Sequence, residues 1–158
     1  MKPKLIPLVL ILLLGSCQSM QSTDPSLLSF KIPDGSTASL NKDLDIADGK
    51  THALLQEGKL ISLKDREDYK LNCRFEVKTF GPRTIKPEVF KIQRTEDGRN
   101  MVSEGGILRF YSDVYLKSDQ GTDVIKLTCQ QLGYTMDRTF TVAEMETALD
   151  DYFTFSFP

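Results

Sequence analysis

The chain has 158 residues, with 20 basic and 22 acidic side chains, a formal charge of −2 and 40% hydrophobic residues. The near-neutral balance excludes the footprint of a nucleic-acid binder or of a polybasic membrane-surface protein. The length is one domain's worth and enough to bury a core. Charge is uneven along the chain. Basic residues outnumber acidic ones over residues 50–100, and the reverse holds from 101 to 158. Two readings fit: a solvated surface of mixed sign, or a basic face on the middle strands that meets an acidic partner or anionic headgroups.

The chain begins with the charged segment Met1-Lys2-Pro3-Lys4, followed by the apolar run Leu5–Leu14. Leu14-Gly15-Ser16-Cys17 comes next, and then the polar Gln18 to Asp24. A charged region, a short apolar region and small residues at a cut are the physical parts of a secretory signal. The apolar run is too short to span a bilayer, and Pro7 disfavours a continuous helix within it. The arrangement resembles the signal peptide of a bacterial lipoprotein, with Leu14-Gly15-Ser16-Cys17 as its lipobox. That resemblance implies cleavage before Cys17, a diacylglycerol on the Cys17 thiol and an acylated new amine. Two or more acyl chains give stable anchoring without a transmembrane helix. Gln18, where an aspartate would imply inner-membrane retention, implies the outer membrane of a Gram-negative bacterium, periplasmic face. The expected organisation is a leader over 1–16, a polar tether over 17–26 and one β-rich periplasmic domain over 27–158.

With Cys17 assigned to lipid, Cys73 and Cys129 remain of the three cysteines. Two cysteines in an oxidising compartment normally pair; the alternative is two buried free thiols. No metal site is expected, because one histidine and two cysteines without Cys-x-x-Cys spacing are a poor ligand set. No cofactor is implied either.

Leu27–Ile32 is the first strand candidate, and Pro33-Asp34-Gly35 carries turn chemistry. Ser36–Leu40 and Leu44–Ile46 read as short extended pieces. Ala47-Asp48-Gly49-Lys50 reads as a turn, with Asp48-Gly49 suited to a tight hairpin. His52–Leu55 and Lys59–Leu63 flank Gln56-Glu57-Gly58 as a hairpin. Lys64–Lys70 is dense in charge and reads as an exposed loop leading into Tyr69. The clearest strand follows: Cys73, Phe75, Val77 and Thr79 point one way, and Arg74, Glu76 and Lys78 the other. Val89–Thr95 is a further strand with Phe90 and Ile92 inward. Glu96-Asp97-Gly98 reads as a turn. Met101–Ser103, Ile107–Tyr111 and Val114–Lys117 read as strands broken at Gly105-Gly106 and Ser112-Asp113. In Asp123–Gln130, the residues Ile125, Leu127 and Cys129 share a face. Thr141-Val142-Ala143-Glu144 fits a capping box, and Met145, Ala148, Leu149 and Tyr152 recur at helical spacing, which predicts a helix over Val142–Asp151. Phe153, Phe155 and Phe157 then alternate as a last strand or a packed tail. The whole predicts an all-β fold, a β-sandwich or a small barrel, with one short C-terminal helix.

Scattered patches resemble a group of short uncharacterised proteobacterial exported proteins. They are Ile32-Pro33-Asp34-Gly35-Ser36, Leu44-x-Ile46 with Gly49, Leu55-Gln56 with Gly58, Tyr69 with Cys73-Arg74-Phe75-Glu76-Val77, and Asp123-Val124-x-x-Leu127-x-Cys129. The resemblance implies that the tyrosine, both cysteines and the Phe-Glu-Val strand belong to one design, and it implies no activity.

No catalytic set stands out. His52 is the sole histidine, and no Gly-x-Ser-x-Gly element accompanies it for a triad. Asp119, Gly121 and Asp123 lack the ligand series of a calcium loop and read as a polar turn. Tyr69, Arg74, Tyr111 and Tyr115 are the candidate binding surface, an aromatic face beside a basic residue, although such residues also serve as cross-strand pairs. The sequence therefore points to a lipid-anchored, non-enzymatic binding or envelope-assembly module with an envelope protein as partner; the alternative is an envelope hydrolase or an inhibitor of one. If Cys17 carries the lipid, Cys17→Ala abolishes incorporation of labelled palmitate in growing cells and leaves the uncleaved precursor, which gel mobility and radiolabel report together.

Overall fold

The computed structural model describes residues 22–158. The expected leader over 1–16, the expected lipidation site Cys17 and the first part of the expected tether lie outside the described residues. The described elements are β1 (Thr37–Leu40), β2 (Leu44–Ile46), β3 (His52–Gln56), β4 (Lys59–Ile61), β5 (Asn72–Val77), β6 (Arg83–Ile85), β7 (Glu88–Met101), β8 (Ile107–Ser118), β9 (Val124–Tyr134), α1 (Val142–Leu149) and β10 (Phe153–Ser156). Eight strands form one antiparallel sheet in the order β10-β1-β7-β8-β9-β5-β3-β4. The sheet curls into a half-barrel. β2 and β6 form a separate antiparallel ribbon that buries Leu44, Ile46 and Ile85 in the same core. The protein is all-β with one short C-terminal helix, and of the sandwich and the barrel it takes the curled, barrel-like form.

The alternation read in β5 is realised from Cys73 to Val77, where the strand ends, and Thr79, read as inward, is exposed beyond it. Cys73, Phe75 and Val77 are buried, whereas Arg74 and Glu76 are only partly covered. Phe75 is fully buried, with its ring 5.5 Å from that of Phe90 on β7 and 5.6 Å from that of Phe153 on β10. One side chain thus ties a middle strand to strands near the far edge, which is possible only because the sheet is curled. Beside it, Cys73 stands directly opposite Cys129 on β9. Their sulfurs lie 2.02 Å apart as a disulfide, with both residues fully buried.

The helix forms where its capping box starts it. The Glu144 backbone N–H donates to Thr141 Oγ1 at 3.2 Å, and the Thr141 N–H donates to Glu144 Oε2 at 2.7 Å. Each bond satisfies a backbone donor that the helix start would leave unpaired. Met145, Ala148 and Leu149 point into the core, and α1 packs against β3, β5 and β10. It therefore lies across the open side of the half-barrel, between strands from its two ends. The helix stops at Leu149, and a 3₁₀ turn over Asp150–Tyr152 leads into β10.

Four departures from the sequence reading have local causes. Leu27–Ile32 forms turns and a single bridge between Ser22 and Phe30 rather than a strand. Here the chain docks on the helix start, where the Ala143 N–H donates to the Pro25 carbonyl at 3.1 Å. Residues 22–26, the end of the expected tether, thus lie against the domain. Second, Glu96-Asp97-Gly98 is no turn but the middle of β7, and Ser112-Asp113 lies inside β8; the hairpin turns beyond Met101. Gly98 misleads as a turn residue. Its role is steric, because a Cβ there would meet the Tyr111 hydroxyl at 2.5 Å, so the tyrosine ring lies over bare backbone. Third, a register shift at Glu76/Val77 sets Val124 opposite Val77 and leaves Ile125 exposed, so Ile125 does not share the inner face of Leu127 and Cys129. Fourth, Ala47–Lys50 turns as read, with the Lys50 N–H donating to the Ala47 carbonyl at 3.1 Å, but it makes no hairpin of adjacent strands. It is bound instead by Gly81, where a Cβ would overlap the carbonyl oxygens of Ile46 and Ala47.

The disulfide spans a sequence separation of 56, for which the chain-entropy model gives about 4 kcal/mol of restriction on the unfolded state. Cys73→Ala/Cys129→Ala should therefore lose about 4 kcal/mol in urea unfolding, with the curled-sheet circular dichroism retained in the folded baseline.

Candidate functional site

Three of the four candidate residues share the outer, convex face. Arg74 pairs with Glu76 at 2.9 Å. Thr128 Oγ1 reaches Glu76 at 3.3 Å and donates to Asp113 at 2.6 Å. Lys126 Nζ reaches the same Asp113 at 2.7 Å and stands 5.6 Å from the Tyr115 ring centre. The Arg94 guanidinium covers that ring at 3.6 Å, and Arg94 also pairs with Glu96. A chain of opposite charges thus crosses β5, β9, β8 and β7 through directly opposed residues. Its cations are already committed to carboxylates or rings, so it stabilises the sheet more than it offers a site. Tyr111 lies over Gly98, with Arg109 at 4.8 Å from its ring centre. His52, opposite Glu76 on the same face, has its pKa lowered by partial burial and by Arg74. It is a half-buried neutral imidazole in this network.

Tyr69 does not join them. It stacks on Tyr134 with ring centres 6.2 Å apart, and the two residues are 54% and 57% exposed. They stand at the end of the half-barrel where β9 finishes. The loop before β5 is held there by the buried Gln56 side chain. Its Nε2 donates to the Glu67 carbonyl at 2.9 Å and its Oε1 accepts from the Glu67 N–H at 3.0 Å. The Leu132 N–H donates to the Asp68 carbonyl at 2.7 Å, which fixes the loop to β9. Charge density in Lys64–Lys70 thus belongs to a clamped loop that presents Tyr69.

Beside Tyr69 opens a cleft of about 550 Å³ between this loop, the β3–β4 turn, the end of β9 and α1. Its floor is Leu71 and Ala148, its rim Tyr69, Glu57, Gln131, Thr147 and Asp150, with Glu144 at one side. Lys70 pairs with Glu57 at 3.2 Å and Glu67 at 3.1 Å across one wall. Asp150 sits at φ +44, in the left-handed region that costs a non-glycine residue strain, with its carboxylate beside Gly58. The adjoining turn uses Glu57 and Gly58, both at positive φ, as a tight two-residue hairpin requires. The hydrogen bonds from Arg138 hold Glu144 at a pKa of about 2, joined by those from Thr141 and opposed by burial. The cleft thus combines an apolar floor, an aromatic shelf and several carboxylates, of which Glu144 is held as an anion: a shape for holding a ligand through hydrogen-bond acceptors.

The remaining sequence candidates are used structurally. Asp119 pairs with Lys91 at 2.6 Å. Asp123 accepts from the Thr79 N–H at 2.7 Å and from Arg83. Burial works to raise its pKa, but those bonds prevail and bring it to about 2. Among the described residues no group of three metal-ligating side chains gathers, and no helix is long and apolar enough to cross a membrane.

Sequence reasoning singled out Tyr69 but missed the rest of the cleft. The signal for part of it was present, since Glu144, Thr147 and Ala148 recur at i, i+3 and i+4 on one helix face. Nothing local marked Glu57 or Asp150, which come to the cleft by tertiary packing. Compared with family models, curated proteins and solved structures, the chain finds no match.

The acid response follows from Glu144. Its folded pKa of about 2 lies below the ordinary 4.5, so its contribution is present above pH 4.5 and is lost as pH falls toward 2. Thermal stability should decline across that window, and Arg138→Ala should reduce the decline, as melts at stepped pH would record.

Proposed function

We propose that this chain is a lipoprotein held by Cys17 at the periplasmic face of the outer membrane, and that its domain is a non-enzymatic binding module for an envelope polymer rich in hydroxyl and amide groups. The anchoring rests on the signal-like start of the sequence. The binding reading is supported above all by the cleft beside Tyr69, a recess where an exposed tyrosine, itself stacked on Tyr134, meets an apolar floor and carboxylates. A flat aromatic face takes the C–H face of a sugar ring, while Gln131, Thr147 and Asp150 at the rim suit hydroxyl and amide donors. Glu144, fixed as an anion by Arg138, is a poor proton donor near neutral pH, which favours binding over hydrolysis. A lipid anchor would keep the cleft close to such a polymer and raise its effective concentration.

The test is cosedimentation of the protein with purified peptidoglycan sacculi. Wild type should sediment with them, and Tyr69→Ala should bind about tenfold more weakly, whereas Arg74→Ala on the convex face should bind like wild type. No cosedimentation by wild type, or equal binding by Tyr69→Ala, would overturn the reading.

A further inference from the structure

Both ends of the sheet are short strands: β4 has three residues and β10 four. Short edges guard against strand addition. The long free edge lies elsewhere. β1 pairs with β7 only over Glu88–Lys91, with one more bond from the Ile92 N–H to the Ser36 carbonyl at 3.0 Å. From Gln93 to Met101, β7 has β8 on one side, paired from Arg94 onward, and among the described residues no strand pairs with its other side. Most of these residues are exposed. At roughly 3.3 Å per residue this is about 30 Å of edge whose backbone donors and acceptors no strand among the described residues takes up.

We infer that this edge pairs with the same edge of a second copy, antiparallel and centred on Gly98. The charges choose both the partner and the register. With Gly98 opposite Gly98, Asp97 of each copy faces Arg99 of the other, Glu96 faces Asn100 and Thr95 faces Met101. Centring on Glu96, Asp97 or Arg99 would set like charges face to face, which destabilises a sheet pair. Centring on Thr95 would run the ladder into the irregular step between Ile92 and Arg94 and into the segment held by β1. Lys31 already reaches Asp97 Oδ2 at 2.6 Å, and a carboxylate with two oxygens accepts a second cation. Gly98 keeps the centre of the ladder thin, with the Tyr111 ring covering it from the convex side. A contact between two strand edges is smaller than a standard interface, so pairing is weak in dilute solution and gains from confinement at a surface. This inference goes beyond the binding role of the cleft and does not depend on it.

The test expresses two differently tagged copies of the full chain in the same cells, one with Glu96→Cys and one with Asn100→Cys, followed by mild oxidation. The native Cys73 and Cys129 are already joined to each other. The mixed 96–100 crosslink should exceed either same-site crosslink about tenfold, because only the mixed pair is directly opposed. Asp97→Arg or Arg99→Asp should each lower the mixed yield about tenfold, and the double exchange should restore it. Absence of the mixed product, coupling to a different protein instead, or a double exchange that fails to restore the yield would each overturn self-pairing.

Discussion

A curled sheet with unequal ends leaves an apolar trough, and this fold depends on how that trough is closed. Phe75 sits at its centre, touching Phe90 and Phe153 from strands far apart in the sheet order. The helix lies over the remaining gap, burying Met145 and Leu149. Burial of each such side chain contributes about 2 kcal/mol, and the contacts are non-local, since they join residues from the middle and the end of the chain. The disulfide beside Phe75 fixes β5 to β9 at the same depth. The trough is thus filled by core side chains, and the cleft beside Tyr69 opens at its end.

That division separates the two faces of the sheet by task. On the outer face, charges are matched by neighbours within or across strands, from Arg74 and Glu76 through Asp113 and Lys126 to Arg94 and Tyr115. Such pairing gives the convex sheet face register and solubility. At the end of the half-barrel, loops and turns meet the helix, backbone is irregular and carboxylates line a recess. Binding sites tend to occupy such places because a rigid scaffold holds groups that the loops alone could not.

What was legible in the sequence had a local cause. The alternation of Cys73, Phe75 and Val77 reports a buried face directly, and the Thr141–Glu144 capping box announces its helix at the right residue. The Glu57-Gly58 hairpin was legible for the same reason. Glycine was the weak guide. Gly98 sits within a strand because Tyr111 lies on it, and Gly81 sits where two other carbonyls press close; neither contact is visible along the chain. The cleft was hidden in the same way, since Glu57, Tyr69 and Asp150 are local neighbours of nothing that explains them. Leu27 and Leu28 read as a strand by composition, yet their backbone forms turns beside Pro25, whose carbonyl is bound by the helix start.

The turn between β3 and β4 carries one more consequence. The Gly58 N–H donates to the carbonyl of Ala148 at 3.0 Å, and the Asp150 side chain stands against Gly58. A carbonyl near the helix end, which would otherwise face water, thus finds its donor in a hairpin from the first half of the chain. The hairpin and the helix complete one another, although the chain between them must be laid down first. During synthesis this part of the molecule stays open until Ala148 and Asp150 arrive, so the recess beside Tyr69 forms only after α1 has been made.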